Sequence, residues 1–207
     1  MLCVFDVNET LLDLAAMDPV IGGRELRREW FGLAIHTVLT VTATGGYQDF
    51  AGIAGAAAVE ATARRGHHVD LAKVAEGLRS LPAHPDVEPG LAKLRENGHT
   101  LVALTNSPLA TAEAQLQNAG LAPLLDRIFS AEQVGRLKPA PEPYHQVLAA
   151  YPGERAVMVA AHDWDIAGAQ AAGLETALLT RPGVHPLPGS PAPTYTASTL
   201  PELAELL

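Results

Sequence analysis

A chain of 207 residues, 48% hydrophobic and 18% charged, is long and apolar enough to bury an α/β core with a small insert, which excludes a disordered segment. Its formal charge of −9 repels phosphate backbones and anionic headgroups, so neither nucleic acid nor a membrane surface is expected as a partner. Cys3 is the only cysteine, which excludes an internal disulfide and a thiolate zinc site; with no leader-like segment and no apolar run near the ~18 residues of a spanning helix, a cytoplasmic protein is expected.

Leu2, Cys3, Val4 and Phe5 form a continuous apolar run that ends in Asp6-Val7-Asn8-Glu9-Thr10, the pattern of a buried parallel strand leaving its sheet. From about residue 15 to 81 the period becomes helical. Leu26, Trp30, Leu33/Ala34 and Val38 share one face, and so do Phe50, Ile53, Ala57 and Ala61. Leu71, Val74, Leu78 and Leu81 follow Asp70, a candidate N-cap, with breaks at Gly45-Gly46 and Arg65-Gly66-His67-His68. The reading is an all-helical inserted domain over 15–82, hinged at Pro82-Ala83-His84-Pro85 on a core made of 1–14 and 83–207.

Beyond the hinge, strands and helices alternate. Helices are predicted over 87–97, 109–119, 142–150 and 166–172, three of them closed by Gly98, Gly120 and Gly173. Strands are predicted over 101–104, 127–130, 156–160 and 176–179. The proline- and glycine-rich 181–194 reads as an irregular loop, and 200–207 as a terminal helix. Such alternation predicts a doubly wound parallel sheet, whose ligands sit beyond the carboxyl ends of the strands. The polar clusters 6–10, 105–107 and 162–165 all fall at those ends, and Lys138 lies in a loop that can reach the same edge.

The clusters suggest a chemistry. A carboxylate at the edge of an apolar interior, as Asp6 is, needs a partner or takes up a proton, and Lys138 is the natural partner. Such a pair would keep Asp6 ionised and aimed as a nucleophile. Thr105 and Asn106 offer a hydroxyl and an amide for an anionic or leaving group; His162 and Asp165 offer an imidazole and a carboxylate to position water. Each cluster taken alone also reads as a strand-closing turn or a helix cap, with Ser107-Pro108 or Asp163 and Asp165 as cap residues. Four of them in order on one sheet edge are what carries weight. His67, His68, His84, His99, His145 and His185 show no ligand-like pattern.

The order Phe5-Asp6 with Thr10, then Thr105-Asn106, Lys138-Pro139 and Asp165, resembles the four motifs of the haloacid dehalogenase superfamily over nearly the whole chain, and the helical insert resembles its cap domain. The resemblance implies a Rossmann-like core with Asp6 as covalent nucleophile. Within the superfamily, Asn8 stands where phosphatases place an acid carboxylate, and Ala161 where they place a magnesium-binding one. An amide cannot protonate a leaving alkoxide, and a missing carboxylate weakens an oxygen-ligand cation site. The type II 2-haloacid dehalogenases need neither, and the chain is similar to them further: Trp30, Tyr47 and Phe50 keep the spacing of their cap helices, Tyr144 follows Lys138-Pro139, and Trp164 precedes Asp165.

That resemblance implies displacement of halide from C2 of a 2-haloalkanoate by Asp6, then hydrolysis of the resulting aspartyl ester to a 2-hydroxy acid, with no cofactor. Lys138 would hold Asp6 and face the substrate carboxylate, which Thr105 and the Leu11 amide would bind. Asn106 would face the halide. Thr10 and Asp165 would orient Asp6 and the water, helped by His162, while Trp164, Phe50 and Ile35 line the alkyl pocket with Tyr144 nearby. Three departures stand out. Phe31 replaces the halide-accepting arginine, a loss worth several kcal/mol by analogy with removing an oxyanion-hole donor. His162 and Ala160 replace an asparagine and a serine. Asn8 replaces a tyrosine, leaving a smaller, more polar wall. The alternatives are a magnesium-dependent phosphatase on the same scaffold, or a catalytically silent binding protein. The substrate is expected to be a small organic anion. A homodimer is implied by the resemblance, with the apolar stretch 31–41 as its candidate contact.

Overall fold

The computed structural model describes residues 1–207. In chain order the strands are β1 (Leu2–Phe5), β2 (Thr100–Thr105), β3 (Arg127–Ser130), β4 (Ala156–Ala160), β5 (Glu175–Leu179) and β6 (Tyr195–Ala197). The helices are α1 (Asp18–Ile21), α2 (Arg24–Ala43), α3 (Phe50–Ala63), α4 (Leu71–Arg79), α5 (Val87–Glu96), α6 (Leu109–Asn118), α7 (Pro141–Ala150), α8 (Asp163–Ala171) and α9 (Leu200–Leu206). All six strands are parallel, in the order β3-β2-β1-β4-β5-β6. The chain moves outward from β1 to β2 and β3, then returns to pair β4 with the other side of β1. The topological switch therefore lies between β1 and β4, where such sheets hold their ligands.

The apolar run of β1 is continuous because both of its faces are buried. Cys3 and Phe5 join the larger core with Leu101, Ala103, Val157 and Val159, under α5, α9 and the insert. Leu2 and Val4 alternate to the other face with Val102, Leu104, Met158 and Ala160, under α7 and α8. Between β1 and α5 the chain is entirely helical, as expected. Trp30, Ala34 and Val38 of α2 pack on Ile53, Ala54, Ala57 and Ala58 of α3, and the small alanines let Trp30 Nε1 donate across the seam to the Ala54 carbonyl at 2.8 Å. The insert's two connections pair with each other: Asp13 N donates to Pro82 O at 2.8 Å and His84 N to Leu11 O at 3.0 Å.

Some expectations need correction. Helix α8 starts at Asp163, three residues early, with His162 as its N-cap residue and no side chain closing the cap; Asp163 and Asp165 lie inside its first turn. Strand β6 was missed because a three-residue edge strand behind a proline-rich loop leaves almost no pattern. Asp70 caps α4 as read, accepting from Ala72 N and Lys73 N, but Leu71 is 49% exposed rather than on the buried face. Of the stretch 31–41, Ala34 and Val38 are in the core and Phe31 and Ile35 turn toward the sheet edge, which leaves Leu39 as its large exposed apolar side chain. No helix is long and apolar enough to cross a membrane.

Candidate active site

Asp6 directly follows β1, and its backbone N–H donates to Val159 O of β4 at 3.0 Å, which pins it at the switch point. Lys138 Nζ donates to Asp6 Oδ1 at 2.9 Å and Thr10 Oγ1 to Asp6 Oδ2 at 2.7 Å, so each carboxylate oxygen has its own donor. Thr10 Oγ1 in turn accepts from Ala161 N at 2.9 Å. Asn106 fixes the lysine's backbone: Lys138 N donates to Asn106 Oδ1 at 2.7 Å, and Asn106 Nδ2 donates to Lys138 O at 3.2 Å.

Lys138 is fully buried, and its other two protons go to Asp165 Oδ2 at 2.6 Å and Leu104 O at 2.9 Å. An ammonium has three donors, and all are used within the protein. The expectation that Lys138 faces the substrate carboxylate is therefore corrected: it is a clamp between two carboxylates. Asp165 is likewise sealed, with Oδ1 taking the Tyr144 hydroxyl and Oδ2 the lysine. Burial raises its pKa, opposed by Lys138 and reinforced by the nearby Asp6 charge. Asp165, expected to orient a water, does not line the cavity and is joined to Asp6 only through Lys138. Tyr144, expected beside the substrate, is fully buried behind Asp165, and burial together with that carboxylate holds its own pKa well above the usual phenol value. The Leu11 amide is also removed from substrate binding, because it donates to Val7 O at 2.9 Å within the loop. The N–H groups of Val7 and Asn8, next to Asp6, donate to no protein acceptor.

The other ten residues singled out from the sequence converge. Asp6, Asn8, Thr105, Asn106, Lys138, His162 and Trp164 of the core, with Phe31, Ile35 and Phe50 of the insert, line one cavity of about 20 Å³. Thr105 Oγ1 accepts from Ser107 N at 3.1 Å, which leaves its O–H to donate. Asn8 is held on both sides, donating to Ser107 Oγ at 3.2 Å and accepting from Gln115 Nε2 at 3.1 Å. His162 lies between Phe31 and Trp164, with ring centroids at 5.6 and 5.8 Å. Its Nε2 is 2.9 Å from Glu9 Oε2, a charge contact off the line of an aligned hydrogen bond. Burial disfavours the imidazolium, but Glu9, with Asp6 and Asp165 beyond it, outweighs burial and raises the His162 pKa.

Sequence reading missed the groups that support this loop. Arg181 donates twice to Thr10 O, at 2.8 and 3.1 Å, and pairs with Asp86 at 2.7 Å. It follows β5, so the rule that drew attention to the other strand ends would have found it. Glu9 adopts a left-handed backbone, φ 64°, and meets Arg27 at 3.5 Å as well as His162. His84, set aside as uninformative, places Nε2 3.3 Å from Glu9 O.

The donors do not fit a magnesium ion, which wants about six oxygen ligands. Asp6 is the sole carboxylate lining the cavity, Asp165 is sealed, the Asn8 carbonyl is taken, and Ala161 has no donor side chain; no group of three His, Cys, Asp or Glu side chains stands ready for a metal.

The family model for a haloacid dehalogenase-like hydrolase matches residues 1–173. The (S)-2-haloacid dehalogenase 1 of Pseudomonas sp. (strain CBS-3) is 32% identical over 218 residues, covering 99% of this chain and 95% of that enzyme. A plasmid-encoded phosphoglycolate phosphatase of Cupriavidus necator is 36% identical over 110 residues, 52% of this chain and 47% of its own, so the chain spans about half the length of that relative. The solved L-2-haloacid dehalogenase from Xanthobacter autotrophicus shares the fold with a TM-score of 0.91 at 21% identity, covering 100% of this chain and 98% of that one. On the family match and the full-length relative, the chain belongs to the haloacid dehalogenase-like hydrolases.

Proposed function

We propose that the chain hydrolyses a small 2-haloalkanoic acid to the 2-hydroxy acid through an aspartyl ester on Asp6, and that residues 15–82 act as its cap. The observation that carries the reading is a clamped carboxylate opening on a cavity walled on one side by Phe31, Ile35, Phe50 and Trp164, with no second carboxylate in its lining: Asp6 is held by Lys138 and Thr10, and Asn8, two residues on, is an amide tied to Ser107 and Gln115. Such a site suits attack at carbon with departure of an anion that needs no proton. It offers no carboxylic acid of the kind that protonates the leaving alkoxide of a phosphate ester.

In the first step an Asp6 oxygen forms a bond to C2 and the carbon–halogen bond breaks, the electron pair leaving with the halide. The substrate carboxylate is met by the Thr105 hydroxyl and the free amides of Val7 and Asn8. The halide departs toward Phe31 and His162, where the imidazolium, flanked by aromatic rings and balanced by Glu9, supplies the cation that position 31 lacks. In the second step water attacks the Asp6 carboxyl carbon. The bond between the Asp6 carboxyl carbon and the substrate's 2-oxygen breaks, the imidazolium of His162 gives its proton to that oxygen and is reprotonated from the attacking water, the water's other proton goes to solvent, and Lys138 and Thr10 hold the charge that develops on the carboxyl oxygens as the hydroxy acid leaves. A cavity of about 20 Å³ holds one water, which needs roughly 10–15 Å³, so substrate is admitted when Phe31, Ile35 and Phe50 lift with the insert.

Halide release from racemic and L-2-chloropropionate, measured with EDTA present for wild type and Asp6→Asn, tests the reading. Stoichiometric chloride and lactate from wild type, with a dead variant, supports it. No halide from chloro-, bromo- or fluoro-acids overturns it, and magnesium-dependent phosphate release would then favour the phosphatase reading suggested by the half-length relatives.

A further inference from the structure

A second, larger space adjoins the catalytic cavity. It measures about 710 Å³, within the usual range for small-molecule sites, and shares Phe31, Ile35, His162 and Trp164 with the inner cavity as a common partition. Its far wall is the segment after β5, from Pro182 to Leu187. That segment is anchored, because Asp163 Oδ2 accepts from Leu187 N at 2.7 Å and from Ser190 Oγ at 2.5 Å.

The charges around this chamber divide into two sets. Arg27 and Arg181 are buried and spent, on Asp18 and Glu9 and on Asp86. Glu9 and Asp163 are spent on His162 and on the anchored segment, and Asp13, the third carboxylate of the lining, accepts from Ala15 N at 2.8 Å. Arg24 and Arg28, one turn apart on α2, face the same space and have no carboxylate partner, in a chain whose formal charge is −9. Neither lines the inner cavity that holds Asp6, and the two spaces meet at Phe31, Ile35, His162 and Trp164.

We infer that this chamber is a binding site for a second anionic group on the substrate, so that the preferred acid carries a distal carboxylate held by Arg24 and Arg28 while its halogen-bearing carbon reaches Asp6. A guanidinium pair matches a carboxylate through charge-assisted, fork-like hydrogen bonds. The chamber's volume of about 710 Å³ has room for several methylenes, which the 20 Å³ of the inner cavity does not. The catalytic part of this inference rests on the dehalogenase reading; the binding part does not.

The test compares 2-chloroadipate with 2-chlorohexanoate, which have the same chain length and differ in the distal carboxylate. Wild type is expected to favour the dicarboxylate by about tenfold or more in kcat/KM, the scale of charge-assisted bonding at a partly open site. Arg24→Ala/Arg28→Ala is expected to bring that ratio close to one and leave 2-chloropropionate turnover unchanged. Both arginines are exposed, so the variant should fold, which circular dichroism checks. Equal rates for the two six-carbon acids in wild type overturn the inference. So does a variant that slows all three substrates alike, which would reduce the arginines to general steering. If no acid releases halide, the dehalogenase reading has failed and the chamber is judged by calorimetric titration with adipate: wild-type binding that weakens about tenfold in the double variant upholds the site, and no binding, or equal binding by both, removes it.

Discussion

Replacing Lys138 by methionine isolates what the clamp contributes. Methionine keeps most of the stem but removes three hydrogen bonds, to Asp6 at 2.9 Å, Asp165 at 2.6 Å and Leu104 O at 2.9 Å, from a side chain that is 0% exposed. Asp165 is then a buried carboxylate with Tyr144 as its remaining side-chain donor. Removing one partner of a buried ion pair costs about 3–5 kcal/mol, because the other charge is left uncompensated. At about 2 kcal/mol per molar of urea, that loss moves the unfolding midpoint down by about 2 M. The pH dependence has a definite sign. The Asp165 pKa is already raised by burial, and without the ammonium it rises further. A carboxyl with a raised folded pKa binds its proton more tightly folded than unfolded, so the variant recovers stability as pH falls. Urea titrations followed by tryptophan fluorescence at pH 5 and pH 8 should give the larger loss at pH 8. A midpoint shift below about 0.5 M, or one equal at both pH values, would refute the clamp.

Three further outcomes follow from the same geometry. Tyr144→Phe strips Asp165 Oδ1 of its donor and should cost about 1.5–3 kcal/mol in unfolding free energy; because Tyr144 acts through Asp165 and Lys138, kcat should fall with KM nearly constant. Gly168→Ala in α8 would gain up to about 1 kcal/mol from helix propensity, but its Cβ would stand 2.6 Å from Pro139 Cβ and 2.7 Å from Tyr144 Oη. Overpacking of that kind costs about 1–3 kcal/mol, so a measured net loss of stability, with lower activity, identifies the clash beside Lys138. For His162, burial opposes the charged ring and Glu9 more than compensates, so the imidazolium should persist past its ordinary pKa. Dehalogenation is expected to hold through neutrality and decline as pH rises through that raised value. His162→Asn should lower the plateau and flatten the decline, and an unchanged alkaline limb would assign it to another group.

The core was legible because both of its periodicities are clean. Apolar runs such as Leu2 to Phe5 are continuous only in strands buried on two faces, and Gly98, Gly120 and Gly173 mark where helices stop. The catalytic edge was legible because each polar cluster follows such a run. What failed is instructive. Residue identity paired Lys138 with Asp6 but could not count protons: only the geometry shows that the lysine's three donors are exhausted inside the protein. Leu11 failed for a similar reason, since a loop amide looks free in sequence until its turn is closed on Val7. The pairings of Arg181 and Arg27 were invisible because a cation's partner, unlike a strand's period, is not marked by any local pattern: Asp86 for one, Glu9 and Asp18 for the other.

Under the dehalogenase reading, the clamp also bears on how an acidic protein would handle an acidic substrate. Within the catalytic edge Lys138 is outnumbered by Asp6 and Asp165, His162 is balanced by Glu9, and Arg181 by Asp86, so the built-in pairs leave the centre slightly negative. A substrate carboxylate is therefore not drawn in by the lysine next to the nucleophile. Its binding must come from neutral donors at Thr105, Val7 and Asn8, which stabilise an anion without also neutralising Asp6. That division matters chemically. A lysine shared with the substrate would weaken the very nucleophile it orients, whereas dipoles aimed at the carboxylate leave the Asp6 oxygens their charge. The cations that nothing inside has spent, Arg24 and Arg28, line the outer chamber and are left for a distal carboxylate, which 2-chloropropionate lacks. At physiological salt, charges more than about 8 Å apart are largely screened, so acids elsewhere on the surface have little reach into the chamber. Raising the ionic strength should consequently increase KM for a substrate with a distal carboxylate while KM for 2-chloropropionate, and kcat for both, set by Asp6 and its clamp, stay nearly unchanged.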